Sequence, residues 1–194
     1  GHATQMASST IPGSWAFDPD LAPIATNIAA ARQLLEDAGW KDTDDDGYRE
    51  CIDCTTTYRD APLYLDMNYW DAPRYAKMGS VISQQLRRVG IQVNAFGMDY
   101  GSVIAQLESQ QFTMTLISYS ETWPVNPDQS QFSIAEDYLD GGSNYGSYHN
   151  PVVDRLLEQA RTVPGCDPEQ RKALYSEIQQ QLQDDPPNAW LLVW

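Results

Sequence analysis

Positive charge is scarce in this chain. Twelve Lys and Arg face twenty-seven Asp and Glu, for a net charge of -15 over 194 residues. Such a field repels a phosphate backbone and excludes nucleic acid as a partner. Cations, or neutral ligands held by aromatic and polar groups, suit it better. Long hydrophobic runs are missing too: none approaches the ~18 residues of a membrane span, and no charged start precedes an apolar h-region. No part of the chain is therefore expected to insert into a membrane. Histidine is limited to His2 and His149, and cysteine to Cys51, Cys54 and Cys166. That set is too scattered for a zinc site, which wants four ligands. There is no G-x-S-x-G elbow. His149, ahead of a capped helix with no nucleophile partner in view, reads as a surface or capping residue. No catalytic residue is expected.

What is present argues for a packed globule: 42% apolar residues and six tryptophans, in a length that suits one sizeable core. The chain opens GHATQM and closes on the strand-like AWLLVW, which suggests a fragment of something larger. Residues 1–26, with Pro12, Pro19 and Pro23, read as an extended lead-in to a domain over 27–194. Asn27 can cap a helix with Ala31, Leu34, Leu35 and Ala38 as its stripe and Gly39 as its stop. PLYLDMNY (62–69) alternates like a half-buried strand. A helix follows at 73–89, a strand at 91–96, a short helix capped by Asp99, and a strand at 112–119. Asn150-Pro151 and Asp167-Pro168 each open a further helix. The alternation predicts an α/β fold with a mixed β-sheet flanked by helices.

Two stretches break this rhythm. Residues 120–149 hold Trp123, Phe132, Tyr138, Tyr145 and Tyr148 among Pro, Asn, Gly and Ser, and long irregular segments in compact domains are usually functional. KDTDDDGYRECIDC (41–54) matches a D-x-D-x-D-G calcium loop. Asp42, Asp44, Asp46, the Tyr48 carbonyl, Glu50 and Asp53 stand at its ligand positions. Against an EF-hand, the loop leads into a strand and ends on Asp rather than the longer bidentate Glu. The alternatives are a structural Ca²⁺, with no other cofactor required, or a solvated acidic turn.

Five ordered blocks carry a resemblance: IPGSWAFDPDL, ARQLLEDAGWKDTDDDGYRE, RYAKMGSVISQQLRRVGIQV, GGSNYGSYHNPVVDRLLEQAR and DPEQRKALYSEIQQQL. The chain resembles the C-terminal lobe of the family 5 extracellular solute-binding proteins, the peptide/nickel class of ABC-importer receptors. The resemblance implies one lobe of a type II periplasmic-binding-protein-like fold. It implies an extracytoplasmic protein, periplasmic or lipid-anchored at the cell surface. Such a protein captures an oligopeptide or similar small polar solute and delivers it to a membrane permease, without chemistry. It also implies solute contacts at Tyr100, Tyr119 and Trp123. Where peptide-binding relatives carry an aspartate for the peptide's amino group, this chain has Thr122, with Glu121 beside it.

Cys51 and Cys54 admit a disulfide, a redox pair or half a zinc site. Glu50 and Asp53 would raise a thiol's pKa rather than lower it, so a structural disulfide is expected. Cys166 is left as an unpaired thiol. Two other functions compete: a calcium-stabilised structural module, and a carboxylate-dependent hydrolase.

Overall fold

A computed structural model describes residues 3–55, 60–119 and 127–193. In chain order its elements are β1 (Thr4–Gln5), α1 (Ile28–Asp37), β2 (Trp40–Lys41), β3 (Glu50–Cys51), β4 (Tyr64–Trp70), α2 (Pro73–Arg87), β5 (Gln92–Met98), α3 (Tyr100–Glu108), β6 (Met114–Leu116), α4 (Pro151–Thr162), α5 (Pro168–Asp184) and β7 (Leu192–Val193). Short 3₁₀ turns occupy Ser130–Phe132, Ile134–Glu136 and Pro164–Cys166. Among the described residues no helix is long and apolar enough to cross a membrane. The chain divides into two compact units.

The unit of residues 26–107 and 111–118 is built on a parallel sheet of order β5-β4-β6. β4 runs beside β5 from Tyr64↔Gln92 to Trp70↔Met98, and beside β6 from Met67↔Met114 to Tyr69↔Leu116. The crossovers are helical, as parallel neighbours require. Leu65, Met67 and Tyr69 share one face, and α2 lies close against it: a Cβ added at Gly79 would sit 3.1 Å from the Tyr69 ring. The other face is polar at the middle of the strand, where Asn68 donates to Gln106 of α3. Met67 and Asn68 are 1% and 4% exposed, so β4 is covered on both sides, as parallel strands usually are. Among the described residues, antiparallel pairing occurs in two-stranded ribbons, including β2–β3 here, and in an isolated bridge between Glu50 and Pro62.

α1 begins where expected, with Asn27 Oδ1 accepting from the Ala30 N–H at 3.0 Å. Its stripe differs from the sequence expectation. Ile28, Ala31 and Leu35 are half-buried, while Leu34 is 70% exposed. The two-residue β2 strand packs on the helix and covers only a narrow strip. Arg49 joins this edge to the sheet. Its guanidinium donates to the carbonyls of Val89 and Trp40, each at 2.8 Å, and to Glu36 Oε1 at 3.1 Å. Gly90, at φ +92°, leaves no room for a Cβ beside the Arg49 stem.

The unit of residues 1–25, 108–110 and 119–194 is centred on α4 and α5. Val153, Leu156, Leu157, Ala160, Tyr175, Ile178 and Leu182 form its core, with Ala16 and Phe132 packed in. The N-terminal stretch passes through turns, with Ser14 N–H donating to the Ile11 carbonyl and Phe17 N–H to the Ser14 carbonyl, and it is bound within this unit. β1 pairs antiparallel with β7, Ser8 donates to Gln179 Oε1 at 2.9 Å, and Gln179 donates to the Ala16 carbonyl at 2.8 Å. Ser176 donates to Asp18, and that bond, ahead of the Asp20 N–H, holds the Asp18 carboxyl below its ordinary range.

Candidate functional site

The carboxyl ends of the three parallel strands converge on one recess. Trp70 ends β4, Tyr100 opens α3 just after β5, and Leu116, Ile117 and Ser118 carry the chain out of β6. Tyr75, from the first turn of α2, and Val103 of α3 complete the lining. None of these side chains is charged. The recess is shallow and open on one side. Its position has a topological cause: where parallel strands stop and their connections leave in opposite directions, a crevice remains.

The aromatic rings brace one another. Trp70 lies 5.8 Å from Tyr100 at an interplanar angle of 72°, and 5.9 Å from Tyr75 at 49°. Tyr75 is 5% exposed and fixed by a hydrogen bond between its hydroxyl and Ser118 Oγ, while the Arg74 guanidinium lies 5.6 Å from its ring centroid. Trp70 and Tyr100 keep 43% and 59% of their surface open. Asp99 accepts from the Ser102 N–H at 3.0 Å and from the Ser102 hydroxyl. The hydroxyl bond, then the backbone bond, hold its carboxyl below the ordinary carboxylate range. This fixes the turn that presents Tyr100.

Of the expected solute-contacting residues, Tyr100 lines the recess. Tyr119 is exposed, and desolvation of its hydroxyl, followed by the effect of Tyr145, raises its pKa. Glu121, Thr122 and Trp123 lie outside the described residues. Trp70, Tyr75 and Ser118 were not anticipated as site residues. The signal for Trp70 was present: it ends an alternating strand just before a helix, where α/β sheets open their crevices. The irregular stretch is not a uniform aromatic wall. Phe132 is buried, edge-on to Tyr148 and Trp190 at 6.4 and 5.7 Å, whereas Tyr138 is exposed. Asn144 organises this stretch by donating to the Ser133 and Tyr148 carbonyls and accepting from the Tyr148 N–H. His149 is exposed, and Asn150 is the cap that accepts from Val152 N–H.

In the acidic bend, carboxylate oxygens of Asp42, Asp44 and Glu50 lie within 4.8 Å of one another. Asp46 and Asp53, also expected as ligands, are outside that group of side chains. The carboxylates also serve the loop itself. Asp42 accepts from Gly47 N–H, Asp44 from Asp46 N–H, Asp46 from Tyr48 N–H, and Glu50 from Thr43 N–H. Gly47, at φ +89°, makes the turn. Cys51 and Cys54 form the expected disulfide, and Cys166 is a free, exposed thiol.

The model for bacterial extracellular solute-binding proteins, family 5, matches residues 1–138. The chain belongs to this family. Among family 5 proteins it is similar to the oligopeptide-binding protein AppA of Bacillus subtilis, with 25% identity over 98% of this chain and 34% of that protein. It is also similar to the nickel-binding periplasmic protein of Escherichia coli, with 25% identity over 95% of the chain and 34% of the relative. The fold matches the structure of Bacillus subtilis AppA in complex with a nonapeptide at a TM-score of 0.84. That match has 23% identity and covers 98% of this chain and 36% of that one. The α/β expectation therefore holds, and so does the family resemblance. The chain spans about a third of the length of these relatives. Family 5 proteins are extracellular solute-binding proteins, and the Escherichia coli relative is periplasmic.

Proposed function

We propose that this chain forms part of the solute-binding component of an ABC importer, one that captures an oligopeptide or similar small polar solute and hands it to a membrane permease. The observation that carries the reading is the aromatic recess at the carboxyl ends of β4, β5 and β6, in a chain of family 5. Similarity to an oligopeptide-binding and a nickel-binding protein supports a small solute. Tyr100 and Tyr119 are proposed as solute-facing, together with Glu121, Thr122 and Trp123. The reading includes no catalytic step. Native mass spectrometry of the full-length protein purified from cells tests it: a carried-over mass matching short peptides is expected. Solute turnover that is lost in Glu121→Gln would instead favour a hydrolase.

The acidic bend has a structural place in this reading. Asp42, Asp44 and Glu50 would offer Ca²⁺ hard oxygen ligands, and an ion there would brace the loop without touching solute. The expected result is a rise in melting temperature with Ca²⁺ that EDTA reverses, with peptide affinity unchanged. A peptide affinity that requires Ca²⁺ would overturn the structural role.

A further inference from the structure

Two polar atoms of the parallel sheet are sealed from solvent and have no hydrogen-bond partner among the described residues: Asn68 Oδ1 of β4 and Thr115 Oγ1 of β6. A polar group buried in this state is destabilising, so each such atom calls for a partner. The two belong together. Asn68 and Thr115 are register partners in the β4–β6 pair, so their side chains leave the same face of the sheet side by side. That face is the one α3 covers, since the Asn68 amide donates to Gln106 Oε1. Asn68 itself is 4% exposed. Turning the Asn68 amide over exchanges an unpartnered acceptor for an unpartnered donor and resolves nothing.

Strand spacing sets what fits between them. Neighbouring strands lie about 4.8 Å apart. Two O–H···O bonds of about 2.8 Å each, joined at one oxygen, span that distance. We propose that an ordered water molecule is built into the sheet here, donating one hydrogen to Asn68 Oδ1 and bonding the Thr115 hydroxyl on its other side. A buried water needs roughly two to four polar partners and no charge, which suits this pair. A Ca²⁺ ion would ask for about six to eight oxygens, carboxylates among them, and neither of these side chains is charged. The bridge has a mechanical consequence, because β6 is only three residues long and pairs with β4 just from Met67↔Met114 to Tyr69↔Leu116. The water ties the middle of that short strand, through Asn68 and Gln106, to α3. Thr115 is thereby a positioning residue for the end of β6, beyond which Ser118 meets the Tyr75 hydroxyl.

A crystal structure of the full-length protein, at a resolution that shows ordered water, tests this directly. One water oxygen within ~3.2 Å of both Asn68 Oδ1 and Thr115 Oγ1 is expected. It should persist in Thr115→Ser, which keeps the hydroxyl, and disappear in Thr115→Val, which puts a methyl in its place. Thr115→Val should also melt about 2 °C lower, since it removes a satisfied bond and strands the Asn68 acceptor. A direct bond between Asn68 and Thr115 with no water between them would overturn the proposal. So would a melting temperature that is unchanged or raised in Thr115→Val, because replacing an unsatisfied hydroxyl by a methyl is neutral or stabilising. Neither measurement involves a solute, so the outcome stands apart from the capture reading.

Discussion

In the acidic bend, Asp42, Asp44, Asp46 and Glu50 direct carboxylate oxygens at backbone N–H groups between Thr43 and Tyr48. In the recess, Trp70 and Tyr100 hold ring faces open to solvent, and none of the described lining side chains is charged. Both regions belong to the same compact unit. The bend is the more conspicuous in sequence, and its groups are occupied locally. The recess is inconspicuous, and its groups have surface left to offer. Chemistry crowded into a short segment tends to satisfy itself, whereas a binding surface needs groups that the fold holds apart from local partners.

If this contrast is right, substitutions around the bend should cost stability and leave peptide preference alone. The largest effect is expected at its anchor. Arg49→Ala removes three hydrogen bonds and leaves the Val89 and Trp40 carbonyls without their donor, a loss of about 3 kcal/mol in urea unfolding. Replacing Cys51 and Cys54 by Ser should cost about 2 kcal/mol, the entropy of a short closed loop, read as a lower melting temperature that reductant reproduces in the unaltered protein.

Gly47 in the bend and Gly39 just before it separate strain from crowding. Gly47→Ala meets open space at φ +89° and should cost about 1 kcal/mol. Gly39→Ala at φ +85° would place a Cβ 2.4 Å from the Asp53 carbonyl carbon and should cost at least about 2 kcal/mol. Equal costs would show that the bend yields more easily than its geometry implies.

The smallest effect concerns acid stability on the recess side. Asp99 is held below its ordinary range in the folded state, so its contribution is present at neutral pH. That contribution is lost as pH falls from the ordinary carboxylate range toward the depressed folded value. Thermal melts from neutral pH down to pH ~3 should show a shallower acid loss in Asp99→Asn than in the unaltered chain. An identical slope would mean that Asp99 does not steady the turn at Tyr100.

Most elements were legible because their signals are local. Asn27, Asn150 and Asp167 accept the backbone N–H groups that capping residues are expected to accept. The alternation of 62–69 put Met67 and Tyr69 on the buried face where α2 lies. Other features were illegible for a physical reason. Leu34 reads as core, but how far a helix face is buried depends on the width of what packs against it. Phe132 reads as one more aromatic of an irregular stretch, and only the approach of Trp190 makes it core. Tyr75 reads as a helix-stripe residue, which it is, and its second role needs Ser118, just past the end of β6.

By itself the sequence determined the order of helices and strands, the acidic character, the disulfide pairing and the family. These follow from periodicity, capping, proximity along the chain and ordered blocks of residues. The tertiary structure alone decided which aromatic rings are sealed in and which remain open at the strand ends. The reason is geometric: Trp70, Tyr75, Tyr100 and Ser118 share no local pattern, and they become neighbours only where the parallel strands β4, β5 and β6 stop together.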